Sequence, residues 1–180
     1  MGQRLRITFA RDGAAKYLSH LELMKAWERS FRRAGWRLAY SKGFNPHPRI
    51  SFASALPVGI ACAADLIDID LEASRDAGAA LGELAEQLPP GLEVRSVLEL
   101  TDGDEPVQRV LRAAEYDAEC PVSGGREALE PEIARVLGAT SLPRKRARER
   151  DTREYDLRPM IHELRAEDAG LRGALVRMKL

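Results

Sequence analysis

The stretch RLRITFARDGAAKYLSHLELMKAWERSFRRAG, residues 4–35, predicts a β-strand followed by an amphipathic α-helix. In its first part Leu5, Ile7 and Phe9 alternate with polar residues, which is the period-2 pattern of a strand that buries one face. The polar positions of that strand are mostly arginine, so its second face is expected to be basic and in contact with water.

A capping box marks the start of the helix. Ser19 precedes Glu22 by three positions, so the serine hydroxyl can accept an N–H of the first turn while the glutamate reaches back to the cap. The helix is expected to run from His20 to about Ala34, and Gly35 supplies a C-terminal stop. Apolar residues recur every three or four positions, and they predict a buried stripe made of Met24, Trp27, Phe31 and Ala34.

The residues after this helix predict the further strands and the second helix of a complete domain. A helix is expected at 76–88, with Leu81, Leu84 and Leu88 facing inward. Strands are expected at 36–40 and 49–53, as one interrupted strand or two, and at 66–72 and 92–100. The order β, α, β, β, α, β is that of the ferredoxin-like split βαβ arrangement, which we assign to residues 1–100.

The second half of the chain predicts another α+β unit, at residues 107–180. An acidic segment with one Gly and one Pro, residues 101–106, is the expected boundary. Beyond it the patterns indicate a short helix at 107–112, a strand at 115–122, a helix at 126–137 and strand-like pieces near 142–149, 153–164 and 171–179. This order predicts a partial repeat of the first half, and the end at Leu180 inside a strand-like run predicts a missing C-terminal element.

The composition of the chain limits the classes of protein to which it can belong. The chain has 180 residues, 44% of them apolar, and its sequence contains no run of about 20 apolar residues that could span a membrane. The first residues lack the apolar core of a signal peptide, so we expect a cytoplasmic protein with no membrane partner. The two cysteines, Cys62 and Cys120, have no CxxC spacing and indicate neither a disulfide framework nor a thiolate metal site.

Charge is segregated along the chain. The 28 Lys and Arg residues balance the 28 Asp and Glu residues in total. Residues 1–60 carry 11 basic and three acidic side chains, residues 61–142 carry six and 18, and residues 143–180 carry 11 and seven, so the balances are +8, −12 and +4. This pattern allows a polyanionic partner, and it equally allows acidic and basic segments that face each other in the fold.

The loop SKGFNPHP, residues 41–48, and the following Arg49 carry the most unusual local chemistry. Two prolines restrict the backbone on both sides of His47 and predict a rigid loop. An aromatic ring, an amide, an imidazole and cationic groups on such a loop suit unpaired RNA bases, which stack on exposed rings. The alternative is a rigid corner with Phe44 in the core and His47 hydrogen-bonded for structure.

His20 and His47 are candidate acid–base groups. His20 sits in the first helical turn, where the helix dipole favours a neutral imidazole, and a semi-buried structural role is its alternative. The sequence shows no HExxH pattern or phosphate-binding glycine loop, and its three histidines have no metal-ligand spacing, so we expect no metal site. Asp68, Asp70 and Glu72 share a strand face that could hold a cation, but a solvated face is the expected outcome.

A basic run follows at residues 143–150. This basic run predicts either a cluster that binds phosphate groups or a charged edge strand that resists aggregation. Its basic residues include Arg144, Lys145, Arg146 and Arg148. Pro159 argues against an interior strand, so Arg158 is expected on a bend beside this cluster.

Several segments together resemble a known family. They are YLSHLE (17–22), ER (28–29) and RRAG (32–35), then SKGFNPHPRISFA (41–53) with LPVG (56–59), and finally DLRP (156–159). On these segments the chain resembles the radical-SAM-linked family, a domain of unknown function fused behind a radical SAM iron–sulfur protein or encoded beside one. The resemblance covers nearly the whole chain.

The resemblance implies an accessory domain with a radical SAM protein as its partner. Ribonuclease and ribosomal-protein genes are typical neighbours of the family, which implies RNA as a second partner. Radical SAM chemistry needs three clustered cysteines, whereas Cys62 and Cys120 are far apart. A [4Fe–4S] cluster and S-adenosylmethionine are therefore expected only on the partner, and no cofactor is expected in this chain.

The leading hypothesis is an RNA-binding or substrate-presenting accessory domain that works with a radical SAM enzyme in tRNA or rRNA modification. The alternatives are an RNA-processing or RNA-modifying enzyme with His20 or His47 as acid or base, and a protein-interaction domain that docks the radical SAM partner. This chain alone is not expected to be an enzyme. The expected RNA-binding residues are Lys25, Arg29, Arg32, Arg33, Lys42, Phe44, Asn45, His47, Arg49, Arg144, Lys145, Arg146, Arg148 and Arg158.

Overall fold

A computed structural model describes residues 2–148, 151–170 and 173–180, without the side chains of residues 147, 148 and 151. The chain divides into two compact units, Met1–Leu111 and Arg112–Leu180. The sequence places residues 107–111 at the start of the second domain, whereas they belong to the first unit. The reason is that Val107 is fully buried there and its N–H donates to Oδ2 of Asp68 at 3.0 Å.

The first unit is built on a four-stranded antiparallel sheet. Its strands are β1 (Gln3–Arg11), β2 (Ile50–Phe52), β3 (Cys62–Leu71) and β4 (Leu92–Leu100), in the order β2-β3-β1-β4 across the sheet. Ile7 lies opposite Ile67 on one side and Val97 on the other. β3 begins at Cys62 and not at Leu66, because its first residues pair with the end of β1.

The segment that precedes β2 only partly forms the predicted strand at 36–40. Its bridges are isolated ones, from Leu38 to Leu71 and from Tyr40 to Pro48. The N–H of Ala39 donates to the carbonyl of Asp70 at 2.8 Å, so this segment still lies along the edge of β3. Residues 41–48 form the loop that separates it from β2.

Helix α1 (His20–Arg33) has the predicted start. Oγ of Ser19 accepts from the N–H of Glu22, and the Glu22 carboxylate accepts from the N–H of Ser19 at 2.8 Å, so the capping box is confirmed. The hydroxyl and N–H of Ser19 lower the pKa of the Glu22 carboxyl. A 3₁₀ helix at Gly13–Tyr17 precedes α1, and two further α-helices of this unit are α2 (Ala77–Ala85) and the single-turn α3 (Val107–Val110).

The core lies between the sheet and helices α1 and α2. Phe9 meets the edge of Trp27 at a ring distance of 4.9 Å, and Trp27 stacks on Phe31 at 5.4 Å. Such aromatic pairs add about 0.5–1.5 kcal/mol each beyond their buried area. The prediction that Leu81 faces inward is wrong, because Ala80 and Leu84 occupy the inner side of α2. The fully buried apolar side chains of this core are Leu5, Ile7, Phe9, Trp27, Phe31, Ile67, Ile69 and Leu84.

The opposite face of the sheet, which we call the polar face, carries Arg4, Arg6, Asp68 and Asp70. Arg6 donates to both oxygens of the Asp68 carboxylate, at 2.7 and 2.9 Å, and Arg4 lies 3.4 Å from Oδ2. The hydrogen bond to Asp68 raises the pKa of the Arg6 guanidinium. Asp68 is 6% exposed, so the expectation of a fully solvated strand face is wrong at this position.

The second unit contains two small antiparallel sheets and one long helix. Strands β5 (Glu115–Cys120), β8 (Glu163–Asp168) and β9 (Ala174–Lys179) form a sheet in the order β5-β9-β8. Strands β6 (Pro143–Arg148) and β7 (Asp151–Asp156) form a hairpin, and α4 (Gly125–Gly138) follows β5. Ala174 is the one buried apolar residue that the described part of this unit contains.

A bend replaces the strand that the sequence predicts across residues 153–164. β7 ends at Asp156, a 3₁₀ turn follows at Arg158–Met160, and β8 begins at Glu163. The Asp156 carboxylate accepts the N–H groups of Leu142 and Arg158, which lowers its pKa and fixes the bend. None of the helices in the described ranges is long and apolar enough to cross a membrane.

Replacement of Asp68 tests the polar face. We expect Asp68→Asn to lower the free energy of unfolding by about 3 kcal/mol, because it leaves Arg6 without its buried counter-charge. Urea denaturation measures the change. Asp102→Asn, an exposed aspartate of the same unit, is the control and should stay within about 0.5 kcal/mol of the wild type. A loss of the same small size in both variants would contradict a structural role for Asp68.

Candidate functional site

A polar groove of about 360 Å³ lies on the polar face of the first unit. One side is formed by the two ends of the loop 41–48 and by the residues just after it, and the other side by Pro106 and Gln108. Arg4, Asp68 and Asp70 come from the strands between them. Nη1 of Arg49 lies 2.8 Å from Oδ2 of Asp70. The remaining residues that line the groove are Ser41, His47, Pro48, Ile50 and Ser51. The groove therefore offers hydroxyl, amide, imidazole, guanidinium and carboxylate groups together.

The loop of residues 41–48, which we call the Phe44 loop, is closed at its base by two hydrogen bonds. Ser41 N–H donates to the carbonyl of His47 at 2.9 Å, and the N–H of His47 donates to Oγ of Ser41 at 3.0 Å. Gly43 has a φ of +138°, a conformation that other residues rarely adopt. Phe44 is fully exposed and lies outside the core. The alternative interpretation of this loop, which places Phe44 in the core, is therefore wrong. Lys42, Asn45 and His47 are exposed as well.

The predicted cations of α1 differ in their surroundings. Lys25, Arg29 and Arg32 are exposed, and none of them forms an ion pair with any residue that the structure describes. Arg33 is also exposed, but its guanidinium donates to the carbonyl of Gln87 and to Oγ of Ser30. Three of the four cations are thus available to an external anion.

The loop base and α1 are joined by one side-chain contact. The hydroxyl of Tyr40 donates to Oε1 of Glu28 at 3.4 Å. Burial raises the pKa of the Tyr40 hydroxyl, and the nearby Glu28 carboxylate raises it further. Arg32 and Tyr40 line a second, smaller hollow of about 240 Å³. The Phe44 loop and the cations at the C-terminal half of α1 therefore belong to adjoining surfaces.

The two candidate histidines lie on different faces of the sheet. The exposed His20 meets the ring of Phe52 edge-on at 5.0 Å, and Phe52 belongs to the core between sheet and helices. His47 lines the groove with residues of the polar face. The structure thus does not bring the two imidazoles together.

The basic residues of the second unit are partly engaged within that unit. Lys145 pairs with Glu154 across the hairpin at 2.6 Å, and Arg144 donates to the carbonyl of Pro143. Arg158 donates to the carbonyl of Leu137 in the last turn of α4 at 2.9 Å. Its guanidinium therefore caps a helix end. Arg146 is exposed, whereas the side chain of Arg148 and residues 149–150 lie outside the described part of the chain.

A second cluster of charged groups lies under residues 53–61. Arg11 is 1% exposed, and its Nη2 donates to the carbonyls of Pro57 and Ile60 at 3.3 and 3.1 Å. Its Nε is buried and has no hydrogen-bond partner in the part of the chain that the structure describes. Asp65 is 5% exposed and accepts only from the N–H of Leu66 among the described residues. Burial raises the pKa of the Asp65 carboxyl, and the hydrogen bond from the Leu66 N–H, with smaller effects of Arg11 and His20, only partly offsets this.

Sequence reasoning missed several of these groups. Arg4 and Gln108 of the groove, and the buried Arg11 and Asp65, were not among the expected site residues. The alternation of charges in β1 and β3 was visible, but the strand register that sets Arg6 opposite Asp68 was not. Among the described residues no three His, Cys, Asp or Glu side chains are grouped so that they could hold a metal ion.

The structure defines a mixed α/β protein with antiparallel sheets and a polar groove. Over residues 4–180 the sequence matches the model of a family described as "Uncharacterized protein conserved in bacteria (DUF2344)". The chain therefore belongs to this uncharacterised bacterial family. No curated protein matches the sequence. Membership of an uncharacterised family is confirmed, and the link to radical SAM proteins stays a prediction.

The buried Asp65 predicts a specific pH dependence of stability. Because its folded-state pKa lies above the ordinary value of 3.8, its favourable contribution is complete below that pH and is lost as the pH rises through the raised pKa. The stability of the wild type relative to Asp65→Asn should therefore fall over this window. Urea unfolding of both proteins across the window measures the difference, and a difference that is independent of pH would contradict the assignment.

Proposed function

We propose that this chain is an RNA-binding accessory domain, and that its first unit holds unpaired RNA at the Phe44 loop and along the adjoining side of α1. The observation that carries the proposal is the ring of Phe44, whose relative exposure is 107%. A rigid loop that holds an aromatic ring in water supplies a platform for stacking, and every base has a face that can stack on it.

Exposed cations on α1 and in the Phe44 loop support an anionic partner. Lys25, Arg29, Arg32 and Lys42 are exposed and form no ion pair within the described ranges. By contrast, Arg4, Arg6 and Arg49 are neutralised in part by aspartates of β3. Cations without an internal partner can exchange their counterions for phosphates, which supplies affinity without sequence preference.

The hairpin residues Arg144, Lys145, Arg146 and Arg148 remain a proposed second contact with RNA. The engagement of Lys145 with Glu154, and of Arg158 with the end of α4, leaves this contact weaker than the one on the first unit. The proposal therefore rests on the Phe44 loop and α1.

We propose that the first unit is ferredoxin-like and that the second is its partial repeat. The support for the first part is the element order β1, α1, β2, β3, α2, β4 together with an antiparallel sheet in the order β2-β3-β1-β4. The second unit begins β5, α4, β6, β7, which supports the partial repeat.

The radical SAM partner is part of the same proposal. The resemblance of the Tyr17–Glu22 and Ser41–Ala53 segments supports it, and so does the cysteine content of the chain, since Cys62 and Cys120 lie in different units. In this arrangement the accessory domain presents tRNA or rRNA, and the partner supplies the [4Fe–4S] cluster and S-adenosylmethionine.

The enzymatic alternative receives less support from the geometry. His20 and His47 face different sides of the sheet, so they cannot act as the acid and base of one reaction. Either imidazole alone would need further groups, and His20 has an apolar ring as its nearest described ring neighbour.

Binding of labelled single-stranded RNA tests the proposal. We expect salt-sensitive binding at about 50 mM salt, and about 5- to 150-fold weaker binding of Phe44→Ala, because one stacked base is lost. Arg29→Gln should lower the dependence of affinity on salt by about one phosphate contact. Fluorescence anisotropy measures the RNA affinity of the wild type and of both variants as a function of salt concentration.

Arg95→Gln is the matched control. Arg95 is an exposed arginine of β4 whose guanidinium pairs with Glu93, away from the Phe44 loop, and the variant should bind RNA like the wild type. No binding by the wild type at low salt, or equal losses in the three variants, would refute the proposal.

The partner is tested separately. We expect the purified chain and a radical SAM protein of the same organism to elute together from a size-exclusion column, and RNA to increase the shared fraction. Separate elution with and without RNA would remove the radical SAM partner from the proposal and leave the RNA result untouched.

A further inference from the structure

The groove beside the Phe44 loop displays a guanidinium and a carboxylate side by side. Nη1 of Arg49 donates to Oδ2 of Asp70 at 2.8 Å, and the two side chains are 59% and 27% exposed. Both are therefore accessible from the groove that they line. We propose that this pair selects an unpaired guanine, a proposal that rests on the RNA-binding function above.

The pair has unused hydrogen-bonding groups of both kinds. Among the described residues Nε and Nη2 of Arg49 donate to no acceptor, and Oδ1 of Asp70 accepts from no donor. A carboxylate oxygen can accept more than one hydrogen bond, so Oδ2 also keeps capacity. The groove therefore presents two donors next to two acceptors.

Guanine alone among the four RNA bases matches that order. Around its perimeter the acceptors N7 and O6 of the Hoogsteen edge are followed by the donors N1–H and N2–H₂ of the adjoining Watson–Crick edge. An arginine fork fits N7 and O6, which is the commonest specific contact to guanine, and a carboxylate fits the two donors. Adenine, cytosine and uracil each break the order of two acceptors followed by two donors.

The rest of the groove suits the sugar and phosphate of the same nucleotide. The side chain of Arg4 is 32% exposed, and its one ion pair among the described residues is a long contact of 3.4 Å with Asp68, which leaves donors for a further acceptor. The hydroxyls of Ser41 and Ser51 line the groove and can form hydrogen bonds with the ribose hydroxyls. The volume of about 360 Å³ lies within the range of about 300–1,000 Å³ typical of small-ligand sites.

The Phe44 loop and the groove are continuous. Ser41 and His47, which close the loop through their mutual hydrogen bonds, also line the groove. A strand of RNA that stacks one base on Phe44 can therefore place a neighbouring nucleotide in the groove.

Calorimetric titration of the full chain with the four nucleoside 5′-monophosphates tests the proposal. We expect guanosine monophosphate to bind about 5- to 150-fold more tightly than the other three. Arg49→Gln and Asp70→Asn should remove this preference, so that each variant binds guanosine monophosphate no more tightly than the other three nucleotides. Arg49 is a surface residue, so its variant stays informative even if Asp70→Asn fails to fold. Arg95→Gln is the control, and it should keep the preference.

The outcomes separate this proposal from the one on which it rests. Equal affinities for the four nucleotides, or RNA oligonucleotides that bind equally with and without guanine, would overturn guanine selection while the RNA-binding function stands. Preference for guanosine monophosphate without any binding of RNA would uphold the guanine site and refute the RNA-binding function. A preference for guanine in the nucleotide titration and in the binding of RNA oligonucleotides would support both guanine selection and the RNA-binding function.

Discussion

The carboxylate of Asp68 connects three separate parts of the first unit. It accepts two hydrogen bonds from Arg6, lies near Arg4 and accepts the N–H of Val107, so it joins β3 to β1 and to α3. A buried carboxylate is strongly destabilising unless its oxygens are paired. The registers of β1 and β3 therefore have to set Arg6 opposite Asp68, and this same register places Asp70 and Arg4 in the groove.

This pairing explains how a chain with no net charge can still present a basic surface. Acidic residues of β3 neutralise the arginines of β1 and, through Asp70, Arg49 of the segment after the Phe44 loop. The acidic middle segment and the basic first segment do face each other on the polar face of the sheet, and again where Asp65 lies near Arg11. The cations of α1 form no ion pair with these carboxylates. A chain of zero net charge can therefore have a local excess of positive charge at α1.

Local signals in the sequence predicted most of the elements. The capping box set the start of α1, and alternation revealed β1, β3 and β4, because both signals depend on neighbouring residues only. Leu81 was misplaced because a helix turns by about 100° per residue, so an orientation shifted by one position buries Ala80 instead. The burial of Asp68 and the capping role of Arg158 depend on contacts between distant segments, which no local pattern contains. The Phe44 loop could be found by its composition, whereas the groove beside it could not.

The two hydrogen bonds between Ser41 and His47 also lower the entropic cost of ordering the Phe44 loop. Ordering the backbone of one residue costs about 1–2 kcal/mol in conformational entropy. In this loop much of that cost is met when the protein folds, because the two hydrogen bonds and the two prolines already restrict the backbone. A ligand that stacks on Phe44 still has to order that exposed side chain, but the backbone that carries the ring is already restricted, so less free energy of contact is lost on binding.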